Sequence, residues 1–178
     1  MADADWTVES EEVYYSNVPV TQVTTADISR LKELAKANPR RRVRLCAHPG
    51  VTDTLHEMII VHSRGNYVRP HRHRGKSESF HIIEGSLVVL LFDEVGEIKG
   101  SLSMGTQGND DVLYYRLSEP DFHTVIPTTE LVVFHETTNG PFRREETEFA
   151  PWAPQEDSPD ASSYMEGLSR QLSQLTHT

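Results

Sequence analysis

The sequence predicts an all-β protein, an antiparallel sandwich or barrel, with one short helix before it and one after it. Two observations carry this. Between residue 43 and about residue 150 the chain divides into short β-type runs, at 43–48, 56–62, 67–72, 78–83, 86–92, 97–103, 111–117, 122–126 and 131–137. The gaps between them carry turn chemistry: Asp93-Glu94-Val95-Gly96 and Gly108-Asn109-Asp110 separate runs, and Asn139-Gly140-Pro141 ends the last one. No helix of useful length interrupts these runs, which argues against a βαβ fold and for a closed or two-layered antiparallel one.

The flanks read differently. Residues 1–24 are polar apart from Val13-Tyr14-Tyr15 and are expected to form a loose arm that adds an edge strand. Residues 26–37 are expected to be a helix, opened by a capping box of Thr24 and Asp27 and stopped by Asn38-Pro39. Ile28, Leu31, Leu34 and Ala35 share one face of it. Pro151-Trp152-Ala153-Pro154 closes the strand region, and an acidic linker follows. Ser158-Pro159-Asp160 is expected to start a second helix, with Tyr164, Leu168, Leu172 and Leu175 along one face. That stripe packs on the barrel or on another subunit. The organisation is therefore an arm and helix over 1–42, a β-barrel over 43–154, and a linker with an amphipathic helix over 155–178.

Composition narrows the function. The chain has 178 residues, 37% hydrophobic and 25% charged, the profile of one globular domain. Its net charge of −10 repels nucleic acid and anionic membranes, so neither is an expected partner. The basic run Arg40-Arg41-Arg42-Val43-Arg44 departs from that balance and reads as a solvated turn or a substrate-side cluster. Cys46 is the single cysteine, so no internal disulfide can form and a buried, inert thiol is expected. The N-terminus lacks a secretory pattern, and the longest apolar run, Leu87 to Phe92, is too short for a membrane span. A cytoplasmic protein is expected.

The chemistry concentrates in residues 65–85. Residues two apart on a strand point to one face, so His71 and His73 can offer imidazole nitrogens to one ion. Arg72 and Arg74 then point the other way or sit at the strand end. After a turn, Glu78 opens the next run and can face the same ion. His123, opening the alternating run after Pro120-Asp121, is the best fourth ligand. A mixed imidazole and carboxylate set suits one divalent transition metal such as Zn, Fe, Mn or Ni. His81 is out of phase with Glu78 and should point away. His48 and His56 could line a pocket mouth, but ordinary packing or exposure is the expected reading for both. His135 and Glu136 fall on opposite faces of the last run, so one of them faces the cavity as a candidate acid/base group; Tyr115 is a further candidate. His62 and His177 carry no signal.

From Gly65 to Gly85 the residues match the first cupin motif, G-x5-H-x-H-x4-E-x6-G, at every fixed position. The second motif is matched at His123, with Pro120 and Pro127 where a glycine and an asparagine usually stand. Most of residues 12–154 also resembles the WbuC-type cupin-fold metalloproteins. That likeness rests on Arg41-Arg-Val-Arg44 with His48, the segment Gly65 to His73, Phe92-Asp93 with Gly96, Phe122 to Pro127, Glu136 with Gly140-Pro-Phe142, and Phe149 to Pro154. The resemblance implies a cupin double-stranded β-helix (a jelly-roll barrel), a metal site, and a bacterial setting near polysaccharide biosynthesis. It supplies no substrate.

Three functions follow as expectations. The first is a metal-dependent isomerase or epimerase acting on a small polar substrate such as a sugar or sugar nucleotide. Arg69, Arg72, Arg74 and Lys76 surround the ligand strand; those near the barrel mouth could take a phosphate or carboxylate on the substrate, but each of them singly is expected to be a solvated surface charge. The second is an iron-dependent dioxygenase with the same ligands. The third is a barrel that binds a small molecule or metal without turning it over. Cupins commonly pair through sheet edges, so a homodimer is expected.

Overall fold

The computed structural model describes residues 5–106 and 112–175, with side chains as far as Leu172 in the last helix. Its strands are β1 (Trp6–Val8), β2 (Val13–Ser16), β3 (Arg42–Cys46), β4 (Leu55–Ser63), β5 (His71–His73), β6 (Glu78–Glu84), β7 (Ser86–Phe92), β8 (Ile98–Gly105), β9 (Tyr114–Leu117), β10 (Phe122–Pro127), β11 (Leu131–Asn139) and β12 (Thr147–Phe149). Two helices, α1 (Thr25–Ala37) and α2 (Ala161–Leu175), flank them. The strands form a seven-stranded sheet, β1-β2-β3-β4-β11-β6-β9, and a five-stranded sheet, β12-β5-β10-β7-β8. Every described pairing between these strands is antiparallel except β2 with β3. The fold is the expected cupin-type jelly-roll barrel with a helix at each end of the chain.

Three apolar clusters stack the layers. Between the sheets lie Met58, Ile60, Phe80, Val89, Val125 and Phe134. On the outer face of the large sheet, Ile28, Leu31 and Ala35 of α1 cover Val43, Leu45, Val61 and Val133. On the outer face of the small sheet, Met165 and Leu168 of α2 pack with Val88, Leu90, Phe92, Phe122 and Ile126. Both sheets are thus buried on both faces where the helices lie. Tyr164 and Leu172 join the last cluster, so the stripe on α2 packs on the barrel of its own chain; the Leu175 side chain lies outside the described residues.

The capping box forms as expected: Asp27 N–H donates to Thr24 Oγ1, and Thr24 N–H donates to Asp27 Oδ2 at 2.8 Å. Four expectations shift. The arm is not loose. It contributes two strands, because Trp6 and Tyr14 are buried against α1, with the Arg30 guanidinium 4.6 Å from the Trp6 ring centre. The run at 67–72 yields strand only from His71, because Pro70 has no N–H for a ladder and holds Arg69 extended. Helix α2 starts at Ala161, after a turn in which Asp160 N–H donates to Ser158 Oγ. Strand β12 is an addition that nothing in its three residues announces. Gly108-Asn109-Asp110 and His177 lie outside the described residues. No helix is long and apolar enough to cross a membrane, among the described residues.

Candidate metal centre

A cavity of about 890 Å³ opens between the sheets. Cross-strand partners face the same way, so the inner wall of the large sheet can be read in rows. One row is His56, Thr138 and Glu78. The next is Cys46, Met58, Glu136, Phe80 and Tyr115. Then come Arg44, Ile60, Phe134 and Ile82, and after them Arg42, His62 and Val132. On the small sheet, Phe149, His71, His123 and Leu91 are successive partners, with Thr147 opposite His73.

His71, His73 and His123 each offer a ring nitrogen, and the three atoms lie within 4.8 Å of one another. Their orientation is fixed from behind. His71 Nδ1 is 2.9 Å from the Arg69 carbonyl, and His123 Nδ1 is 3.0 Å from the Asp121 carbonyl. A carbonyl only accepts, so each Nδ1 must carry a proton, and Nε2 is the nitrogen left to face an ion once it gives up any proton of its own. His73 Nδ1 is held 3.2 Å from Thr147 Oγ1. Glu78 reaches across from the other sheet, with Oε1 2.8 Å from His123 Nε2 and Oε2 3.5 Å from His73 Nε2.

The electrostatics of this set are unusual. Glu78 is 4% exposed and His123 is 2% exposed. Burial pushes the Glu78 carboxyl up, but His123 and His73 together hold it below the usual carboxylate range. Burial works against a charged His123, yet the Glu78 carboxylate outweighs it and the imidazole is raised. His71 moves the other way, to about 3, through burial and repulsion from His123 and His73. Carboxylate oxygen and imidazole nitrogen sit 2.8 Å apart with either a proton or a metal cation between them. A divalent cation bound by all four groups is the second case, and the donor set fits a transition metal.

The other expected site residues divide. Glu136 lines the cavity, and burial, with repulsion from Glu78, pushes its carboxyl up to about 8. His135 does not reach the cavity. It lies on the outer face in a shallow groove with Pro19 and Thr21, its Nε2 3.8 Å from Glu57 Oε1, with exposed His81 as its cross-strand partner. Tyr115 faces inward but is screened: Phe80 stands between it and Glu136, with the two rings 5.6 Å apart. Its hydroxyl is buried with no hydrogen-bond partner among the described residues and does not line the cavity. Arg72 and Arg74 turn to the outside, where both donate to Glu148. Lys76 stays inside, donating to the Pro141 carbonyl at 2.7 Å and pairing with Glu146.

Other cavity residues carry more than their spacing announced. His48 and His56 are buried and stacked 4.1 Å apart on the cavity wall. His62 lines it too, edge-on to Phe134, with Nδ1 buried and unpartnered among the described residues. The parity of β4 was the available signal, since His56, Met58, Ile60 and His62 alternate along one face. Cys46 is buried, and burial pushes its thiol up to about 11, as an inert thiol requires.

His62 sets an acid limit on stability. Burial, with the Arg44 charge nearby, lowers its pKa to about 3, so the folded protein keeps this ring neutral. The unfolded chain takes up a proton near pH 6.5, so its contribution is complete above that pH and lost as pH falls from about 6.5 toward 3. Between pH 7.5 and 5.0 this amounts to about 2 kcal/mol. Urea denaturation of metal-free protein at the two pH values should show His62→Leu losing about 2 kcal/mol less than wild type; equal losses would mean that His62 is solvated.

A family model described as a domain of unknown function (DUF6016) matches residues 23–104. No curated protein matches the chain. Among solved structures, the chain is similar to oxalate oxidase in complex with the substrate analogue glycolate, at 13% identity and a TM-score of 0.49, covering 65% of this chain and 58% of that one. It is similar to a Shewanella oneidensis protein at 11% identity and a TM-score of 0.48, covering 58% and 66%. A sugar phosphate isomerase of the cupin superfamily from Silicibacter pomeroyi aligns at 15% identity and a TM-score of 0.40, covering 49% and 52%. The chain therefore spans about half to two thirds of these relatives' length. Such likenesses concern fold alone, and the functional reading rests on the site.

Proposed function

We propose that this chain is a WbuC-type cupin holding one divalent transition metal on His71, His73, Glu78 and His123, and that it isomerises or epimerises a small polar substrate such as a sugar or sugar nucleotide. The observation that carries the reading is the convergence of three imidazole nitrogens and one buried carboxylate. Two imidazoles have their far nitrogens tied to carbonyls, a third is held by Thr147, and a buried carboxylate lies 2.8 Å from one of them. When bound, such an ion supplies Lewis acidity to a substrate oxygen.

The chain's own residues supply the rest. Met58, Ile60, Val125 and Phe134 give the cavity an apolar wall that excludes water and strengthens polar contacts within it. Glu136 shares that wall, and its position between Met58 and Phe80 keeps its proton near neutral pH. Its carboxyl can give a proton to one substrate atom and take one from another, as proton transfer beside a carbonyl requires.

The test is elemental mass spectrometry of protein purified without added metal, on wild type, His71→Ala and His123→Ala. Near one equivalent in wild type, lost in both variants, is the expected result. Iron as the resident ion would favour a dioxygenase over an isomerase. Metal retained equally by both variants would overturn the ligand assignment. A wild type that stays empty on titration would leave a barrel that binds small molecules without metal.

A further inference from the structure

The chain carries a net charge of −10, yet the cavity wall gathers six cations: Arg40, Arg42, Arg44, Arg69, Lys76 and Arg144. Three are neutralised. Arg40 and Arg42 pair with Glu12 and Glu156, and Lys76 pairs with Glu146. The other three have no carboxylate within ion-pair distance among the described residues.

Their placement is informative. Arg69 lies two residues before His71, and its carbonyl is the group that orients the His71 ring. One of its amino groups donates to the Ala150 carbonyl at 2.9 Å, while its Nε is buried with no partner among the described residues. Its guanidinium lies 5.3 Å from the centre of the Phe149 ring, and that of Arg144 lies 4.8 Å from the same ring. Phe149 is the cross-strand partner of His71, so both guanidinium groups flank the metal centre on the small sheet. Arg44 faces them from the large sheet, in the row of Ile60 and Phe134. A buried guanidinium N–H without an acceptor is costly, and a protein this acidic has carboxylates to spare for pairing. Arg44 also touches the Cys46 thiol, but none of the three has a carboxylate partner, among the described residues, on the wall they share with the candidate metal ligands.

We propose that the cavity binds a small organic anion, its carboxylate or phosphate monoester group held by Arg69 and Arg144 beside His71 with Arg44 facing it from the opposite sheet. Guanidinium groups match both anions through paired N–H donors, and Phe149 holds two of them in place. The proposal names the substrate class of the site read above and rests on that reading for where the rest of the ligand lies.

Calorimetric titration of the full chain with glucose 6-phosphate, gluconate and glucose tests it. At least one anion should bind about ten-fold more tightly than glucose or better, the effect of a charge-assisted contact. The phosphate and carboxylate arms decide which group the site takes. Arg69→Gln, Arg144→Gln and Arg44→Gln should each weaken the anion about ten-fold. Arg144 is exposed, so its variant tests the site without threatening the fold. Arg116→Gln, an exposed arginine of β9 outside the cavity, makes the same change in net charge and should leave binding unchanged. Equal binding of glucose and both anions, no heat from either anion, or an equal loss in Arg116→Gln would overturn the proposal. Metal content measured on the same samples separates the two readings. Full metal without anion binding removes this proposal alone, and anion binding by a protein that takes up no metal removes the catalytic reading alone.

Discussion

Saturating Zn(II) or Mn(II) should raise the Tm of chelator-treated protein by about ten degrees, and Glu78→Gln should remove most of that rise while leaving the metal-free protein about as stable as before. The first number follows from linkage: a ligand at about a thousand times its Kd stabilises by about 4 kcal/mol, and a domain of this size gains about 2–4 °C per kcal/mol. The second follows from what Glu78 does without metal. Its carboxylate is buried against His123 and is satisfied only if that imidazole is charged, so the pair costs desolvation of two ions. A glutamine amide can donate to the bare Nε2 of His123 and needs no charge at all. Metal-free Glu78→Gln should therefore melt within about 2 °C of wild type, since a replaced buried ion pair is often neutral in stability. Were the Glu78–His123 contact simply a structural ion pair, metal would raise the Tm of neither wild type nor Glu78→Gln. Differential scanning fluorimetry with and without metal separates the two.

Most barrel strands, both helices and the convergence of His71, His73, Glu78 and His123 were legible because they rest on local patterns. Alternation marks strands, and two-residue spacing puts a pair of ligands on one face. The wall of the cavity was less legible, for a physical reason visible in β3. Val43 and Leu45 are its apolar residues, and simple alternation points them into the barrel and Arg42 and Arg44 out to water. Helix α1 reverses that. It covers the outer face and buries Val43 and Leu45 there, while Arg42, Arg44 and Cys46 line the cavity. When a sheet is covered on both faces, alternation gives the parity of a strand but not which parity is inside. The same ambiguity left His135 and Glu136 undivided, and only the register of β11 with β4 and β6 assigns Glu136 inward. Tyr115 shows a further limit: it has the inward parity of Glu136, but Phe80 on the strand between them takes the position nearer the cavity.

The two glycines that bound the histidine motif should differ sharply when replaced by alanine, although both have positive φ. Gly65 has φ +81, and a Cβ there would come no closer than 3.7 Å to a neighbour, the flexible end of Arg41. Its cost is conformational alone, about 1 kcal/mol. Gly85 has φ +74 and is the single residue between β6 in the large sheet and β7 in the small one. A Cβ there would lie 2.3 Å from the Leu131 carbonyl oxygen and 2.6 Å from Thr129 Oγ1. These are not atoms that can swing away. Thr129 Oγ1 donates to that carbonyl at 2.7 Å and accepts the Ser86 N–H at 2.9 Å, so it ties the crossing between the sheets to the start of β11. Gly85→Ala should therefore cost about 3 kcal/mol or more in urea denaturation, through left-handed strain and the loss of both hydrogen bonds. Where that variant does not fold, Thr129→Val removes the same bonds without a new clash and should cost about 2 kcal/mol. Gly65→Ala should keep its metal response. Similar small losses at Gly65 and Gly85 would show that the crossing yields, and that the spacing between Glu78 on one sheet and the histidines on the other is set elsewhere.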